Sequence, residues 1–299
     1  MRRRLLDPDS QGARGDLVDE DGAGEDGIIR ILDGVTFEER RVIQAGEDTV
    51  NDVSFARDGK MLASASDGGK VHIWDLMSTG GPRIIQAHAE DADAVVFTHD
   101  GNRLVTSGNE PTIRMWDPRT GEAIGTLVGH TQGSEALALS PDGQMLGSAS
   151  DDGSVKLWEV ESGDETRTLK ATGRLVTIDF SPDGRLVAGG GSAREVSIWE
   201  VATGERLLVE RHLDRVDDVA FSPGGDLIAS AGRGGTRRMW RLDSDPGQTP
   251  QRRTDDTLVW TAHVGRSRSV CFSPDGGWLI SAGEDGRVIP GAVTLLQRA

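Results

Sequence analysis

The sequence predicts an all-β chain assembled from repeated units of short antiparallel strands, and three observations carry that reading. The first is a fixed spacing: Trp74, Trp116, Trp158, Trp199 and Trp240 are separated by 42, 42, 41 and 41 residues. The second is a turn ahead of each tryptophan. The turn cores are Arg57-Asp58-Gly59, His99-Asp100-Gly101, Pro141-Asp142-Gly143, Pro182-Asp183-Gly184 and Pro223-Gly224-Gly225. Glycine there supplies the positive φ that a tight hairpin needs, and proline, where present, locks its own φ at the start of the turn. The third is the period-two alternation of apolar residues on both sides of each turn, the pattern of half-buried strands.

The stretch 130–160 shows the unit most fully. Leu137 and Leu139 share one face of a first strand, and Met145-Leu146 opens a second that ends at Ser148. The turn Asp151-Asp152-Gly153 leads into a third strand with Val155, Leu157 and Trp158. The other units carry matching first-strand pairs: Val53 and Phe55, Val95 and Phe97, Ile178 and Phe180, Val219 and Phe221. These pairs belong to the packing between units.

With this period and these positions the chain resembles the WD-repeat family, whose units form the blades of a β-propeller. The resemblance implies a structural tetrad of His before the first strand, Ser or Thr in the second, Asp in the following turn and Trp in the third. His130, Ser148, Asp152 and Trp158 fill all four places. His88, Thr106 and Trp116 fill three, with Glu110 for Asp; His212, Ser230 and Trp240 fill three, with Gly234 at the turn. The first and fourth repeats depart further, with Gly46 and Gly68, and Ala171 and Arg194, at the His and Asp places. A buried hydrogen-bonded chain of these groups satisfies polar atoms otherwise costly to bury, so the His/Ser/Asp set reads as structural and not as a hydrolase triad. Asp179 is out of pattern; a pairing with the neighbouring blade or a place along the central channel would explain it.

The ends are incomplete. Residues 7–26 hold eight acidic side chains and one basic, Arg14, so residues 1–25 are expected to form a disordered acidic tail ahead of a single domain, 26–299. Leu32 takes the tryptophan place in a partial first unit. After Trp240 the spacing lengthens, and 241–257 reads as an inserted loop. In the last unit Gly291 stands at the tryptophan place behind Pro290, so 288–299 is expected to be a degenerate last strand. Six blades are expected, with residues 27–44 completing the sheet begun by 267–282; the alternative is an incomplete seven-bladed ring. A closed ring would be a monomer without exposed edges.

With 33 basic and 49 acidic residues the formal net charge is −16, which argues against a nucleic-acid partner and for a protein or peptide, possibly basic. The lone Cys271 forbids an intramolecular disulfide and suits the cytoplasm, and no apolar run is long enough to span a bilayer. None of the six histidines sits in a close-spaced ligand motif, so no metal or cofactor is expected. Propellers of this family serve many assemblies, so the resemblance implies a noncatalytic interaction scaffold; alternatives are a regulatory or sensor portion of a larger protein, or an enzyme with a central-channel site. By the same resemblance the top rim lies between the tetrad histidine and the first strand. It holds Glu47, Asp48, Asp52, Glu90, Asp91, Asp93, Glu135, Asp214, Asp217 and Asp218, with Arg174, Arg215, Arg266 and Arg268 near blades four and six. An acidic rim can steer a basic segment; it can also simply keep a β protein soluble.

Overall fold

Each unit folds into a meander because its strands follow one another through turns too short for any other pairing. The computed structural model describes residues 17–18, 27–33, 39–243, 251–252 and 258–293. The first sheet contains β1 (Leu17–Val18), β2 (Ile28–Leu32) and β3 (Glu39–Gln44). Four four-stranded sheets follow. They are β4 (Val50–Phe55), β5 (Met61–Ser66), β6 (Lys70–Asp75) and β7 (Arg83–Gln86); then β8 (Ala92–Phe97), β9 (Leu104–Gly108), β10 (Ile113–Trp116) and β11 (Ala123–Leu127). Next come β12 (Ser134–Leu139), β13 (Met145–Ser150), β14 (Ser154–Glu159) and β15 (Glu165–Lys170), then β16 (Leu175–Phe180), β17 (Leu186–Gly191), β18 (Glu195–Glu200) and β19 (Arg206–Arg211). The sixth sheet has β20 (Val216–Phe221), β21 (Leu227–Gly232), β22 (Thr236–Asp243), β23 (Gln251–Arg252) and β24 (Leu258–Thr261). The last has β25 (Ser267–Phe272), β26 (Trp278–Gly283) and β27 (Val288–Ala292).

The core lies between the sheets. Each third-strand tryptophan packs on the aliphatic residue at the matching place of the preceding sheet: Trp74 with Ile29, Trp116 with Val71, Trp158 with Ile113, Trp199 with Val155 and Trp240 with Val196. The last sheet meets the sixth through Phe272, Leu279 and Met239, and meets the first through Leu32, which packs on Ile280 and Ala282. The sheets thereby follow one another around a ring.

The inner strand of every sheet has one edge with no strand beside it, and its N–H groups need acceptors. Side chains of the preceding sheet supply several. Asp52 accepts from Val95 N–H at 3.0 Å, Ser54 from Phe97 N–H at 3.3 Å, and Thr177 from Val219 N–H at 3.3 Å. Asp179 accepts from Phe221 N–H at 2.8 Å and Asp218 from Val270 N–H at 2.9 Å. Asp179 is thus a joint between neighbouring sheets.

The chain ends differ from expectation in four ways. Residues 28–44 do not pair with 267–282: β2 pairs with β1 and β3, and β26 with β25 and β27, so the described residues form seven sheets with the terminal two facing each other. The reason is that β27 itself fills the place beside β26. It does so because Val293 N–H bonds Gly277 O, and the two-residue alternation turns the nitrogen of Pro290 toward the outer edge, where no donor is needed. Third, Leu17 and Val18, inside the expected tail, pair with Leu32 and Ile31; the rest of 1–25 lies outside the described residues. Fourth, part of the expected 241–257 loop is a β-ladder, Leu242 with Arg252 and Asp243 with Gln251.

Candidate functional site

The turns after the second strands and the loops entering the next sheets share one face. At the second sheet the contact is close: Gly68 N–H reaches Asp91 at 2.9 Å, and a Cβ on Gly69, at φ 75, would stand 2.0 Å from His88 O, so only glycine fits there.

Beneath this top face lie the tetrads. In the fourth sheet His130 Nδ1 lies 2.8 Å from Asp152, its Nε2 lies 2.7 Å from Ser148 Oγ, and Trp158 Nε1–H donates to that oxygen at 2.9 Å. Asp152 also accepts Thr131 N–H at 3.1 Å, fixing the loop above. Burial works to raise the Asp152 pKa, but hydrogen bonds from Ser154, His130 and Thr131 prevail and hold it at about 2. The Ser–His–Asp connectivity is that of a hydrolase, yet Ser148 is 0% exposed and its oxygen already accepts the indole proton. A substrate has no path to it.

The other sheets vary this device. His88 lies 2.9 Å from Thr106 Oγ1, which accepts Trp116 Nε1–H at 3.0 Å. Glu110, longer than Asp, holds Ala89 N–H and pairs with Arg114 at 2.8 Å instead of reaching the imidazole. In the sixth sheet His212, Ser230 and Trp240 are buried but make no hydrogen bonds through their ring nitrogens, hydroxyl or indole. Gly234 offers no carboxylate to orient His212. The last sheet holds a set that the sequence also shows, His263 with Asp285 at 2.9 Å and Ser281 at 2.6 Å, without the indole. In the second sheet an imidazole from a different strand lies near the place that Gly46 leaves without one: His72 on β6 stacks on Trp74 at 5.6 Å, but its Nδ1 and the Ser64 hydroxyl are buried without hydrogen bonds. No sequence pattern flags that exchange, because His72 occupies a place where other repeats carry Arg, Lys or Ser.

The candidate rim residues divide into three groups. Asp52 and Asp218 are the inter-sheet acceptors described above. Asp217, 5% exposed, is clasped by Arg266 at 3.0 and 3.2 Å and by Arg215 at 3.0 Å; Arg266 and Arg268 also meet Glu284 at 3.6 and 2.8 Å. Arg174 pairs with Asp151, Asp48 with Lys70 at 2.7 Å, and Asp214 accepts Arg215 N–H at 2.7 Å. Asp91 receives Gly68 N–H and Asn109 Nδ2–H. Glu47 and Glu90 are exposed, and Asp93 and Glu135 are half-buried at the upper ends of β8 and β12. Charge is therefore uneven: Asp217 and Glu284 near the sixth and last sheets are paired with arginines, whereas the rim over the second to fourth sheets is acidic, with Glu47 and Glu90 exposed. Among the described residues, no group of three or more His, Cys, Asp or Glu side chains is placed to hold a metal ion.

Antiparallel sheets arranged in a ring, pinned by His–Ser–Trp networks under the top face, define a β-propeller. The family model described as "WD domain, G-beta repeat" matches residues 37–75, 82–117, 121–159, 163–200, 205–241 and 256–289, and the chain belongs to this family. Among solved structures it is similar to a chain in "Crystal Structure of Mitotic Checkpoint Complex", at 22% identity, TM-score 0.79, covering 93% of this chain and 87% of that one. No curated protein sequence matches significantly.

Proposed function

We propose that this WD-repeat propeller is a noncatalytic scaffold that binds a partner protein or peptide on its top face, through the acidic sector over the second to fourth sheets. One observation carries the reading: Asp217 and Glu284 near the sixth and last sheets are paired with arginines, whereas Glu47 and Glu90 over the second and third sheets are exposed and make no ion pair among the described residues. Uncompensated surface charge of one sign raises the local concentration of an opposite-sign partner and its association rate, and a basic segment fits. Compact, rigid sheets with short turns present such a surface without an ordering cost on the scaffold's side. A single half-buried thiol accords with a reducing, cytoplasmic setting.

The test is charge reversal at exposed sites, Glu47→Arg with Glu90→Arg, followed by pull-down and mass spectrometry beside the intact chain. Partners captured by the intact chain and lost by the variant, with affinity falling as salt rises, are the expected result. Equal capture by both folded proteins removes this sector as the binding surface. Asp217 is a poor choice for reversal, because a cation there would leave Arg215 and Arg266 facing another cation in a buried position.

A further inference from the structure

We propose that the top of the sixth sheet is a carboxylate-binding site, in which an acid from outside the chain takes the place that a tetrad carboxylate fills in other sheets. Three sheets show how this fold holds such a group. In the fourth, Asp152 accepts from Thr131 N–H at 3.1 Å and from Ser154 Oγ, and lies 2.8 Å from His130 Nδ1. In the last, Asp285 accepts from Val264 N–H at 3.1 Å and lies 2.9 Å from His263 Nδ1. In the third, Glu110 accepts from Ala89 N–H and, at 2.8 Å, from Arg114.

The sixth sheet keeps a counterpart of each donor and lacks the acid. Leu213 follows His212 as Thr131 follows His130, and Thr236 and Arg238 occupy the places of Ser154 and Arg114. At the acid's own place stands Gly234, whose φ is not positive and where a Cβ would meet nothing closer than Thr236 at 3.9 Å. His212 Nδ1 and Nε2, Thr236 Oγ1, Ser230 Oγ and Trp240 Nε1 are buried without a hydrogen bond, and Leu213 N–H has no acceptor among the described residues. Arg238 donates to Arg211 O as Arg114 donates to Ala87 O, which sets its guanidinium beside the same place.

This set selects a carboxylate. One planar anion with two acceptor oxygens satisfies a backbone N–H, an imidazole N–H and a hydroxyl together, and buried donors left unmade gain more from such an acceptor than exposed ones do. The surroundings favour negative charge: Arg238 helps to depress the His212 pKa, and Arg233 is exposed with no ion pair among the described residues. Asp214 and Asp217 stand on the same loop, but the first accepts Arg215 N–H and the second is held by Arg215 and Arg266. With an acid in place, Nδ1 of His212 is fixed and its Nε2 turns to Ser230 as that of His130 turns to Ser148. The entrance is the top face, where Leu213 and Gly234 are exposed, and no residue of the acidic sector takes part.

The test compares melting in acetate and in chloride at equal ionic strength. Acetate at saturation is expected to raise the melting temperature of the intact chain by about 2 °C or more. Gly234→Asp supplies the carboxylate from within, so it should melt higher than the intact chain and show no acetate response, while Gly234→Asn, without the charge, should gain less. Proton–nitrogen correlation spectra of the intact chain need no variant: acetate should shift the Leu213 amide and the Trp240 indole signals. The peptide acetyl-Leu-Glu-Leu amide, run beside its glutamine counterpart, separates the two sources of the acid. Binding about tenfold tighter than acetate assigns the carboxylate to a partner chain that also touches Leu213, and equal affinity assigns it to a small carboxylic acid. Equal melting in acetate and chloride with unshifted signals would overturn the proposal. So would an acetate response that persists in Gly234→Asp, or a Gly234→Asp chain no more stable than Gly234→Asn.

Discussion

The Ser148 hydroxyl accepts a hydrogen bond from the Trp158 indole and donates one to the His130 imidazole, and both bonds are fully buried. Removing one member therefore strands the others. Trp158→Ala should cost about 3–5 kcal/mol in chemical denaturation, combining the lost volume with an unsatisfied Ser148. His130→Ala should cost less in volume but remove one hydrogen-bond partner from each of Asp152 and Ser148. In the sixth sheet, where His212, Ser230 and Trp240 make no such bonds, His212→Ala should cost clearly less than His130→Ala. Protonation tests the same sites. Burial, with Arg114 adding to it, lowers the His88 pKa from 6.5 to about 4, and burial with Arg238 lowers that of His212 to about 4. Between those values the unfolded chain binds protons that the native chain refuses. The stabilisation from each neutral histidine is thus complete above pH 6.5 and is lost as pH falls toward 4, by at most about 3 kcal/mol per site. His88→Gln should flatten the fall of stability across that window by about one proton; an unchanged slope would show that His88 is not its source.

At the scale of the strand, β22 and β27 are each abnormal and explain one another. Arg237, 1% exposed, occupies the place held by Val71, Ile113, Val155 and Val196 in the other sheets. Each of those residues packs under the tryptophan of the next sheet, but the residue due to cover Arg237 is Gly291. The guanidinium takes the empty volume, donates to Ile289 O at 3.4 Å, lies 5.7 Å from the Trp260 ring and keeps a depressed pKa of about 10 through burial. Arg237→Val should destabilise by about 1–3 kcal/mol by opening a cavity, and Gly291→Trp should destabilise by overpacking. The double variant restores the common pair and should recover more than about 1 kcal/mol of the summed loss, read from a double-mutant cycle; simple additivity would contradict the pairing. Gly291 stands out in the sequence but its relation to Arg237 does not, because the two are 54 residues apart and belong to neighbouring sheets. What was legible was whatever repeats: the strand-turn-strand order and the five tryptophans follow from spacing, and the His130 network from the family resemblance that the repeat carries. What was not legible depends on contacts across a sheet boundary. Asp52 and Asp218 read as surface acids but accept inner-strand N–H groups, His72 replaces an imbalance at Gly46, and β27 forms despite Pro290 because its nitrogen faces an open edge.

A ring is only as cohesive as its weakest joint, and the joints here are unequal. Between the fourth and fifth sheets lie Val155, Leu157, Leu169, Phe180, Val187 and Trp199, all buried, beside the complete His130 network. Among the described residues, the last and first sheets meet through the buried Ile280 and Ala282, with Leu32, Cys271 and Val288 packed against them. The last sheet also lacks the indole that donates to serine or threonine in the third and fourth. Since each sheet touches mainly its neighbours, opening free energy should vary around the ring with the local joint, as it does in linear repeat arrays. Native-state hydrogen exchange provides the measurement. Amides of β13, β14, β17 and β18 should exchange only through global unfolding, with free energies that fall with denaturant at the full unfolding slope. Amides of β2, β26 and β27 should exchange through a smaller opening with a shallower slope, at least about 2 kcal/mol below the global value. The Trp158→Ala variant should then pull the first group down toward the second while leaving the second nearly unmoved. If instead all strands shared one free energy and one slope, the ring would open as a single unit, and the junction of first and last sheets would be as strong as any other.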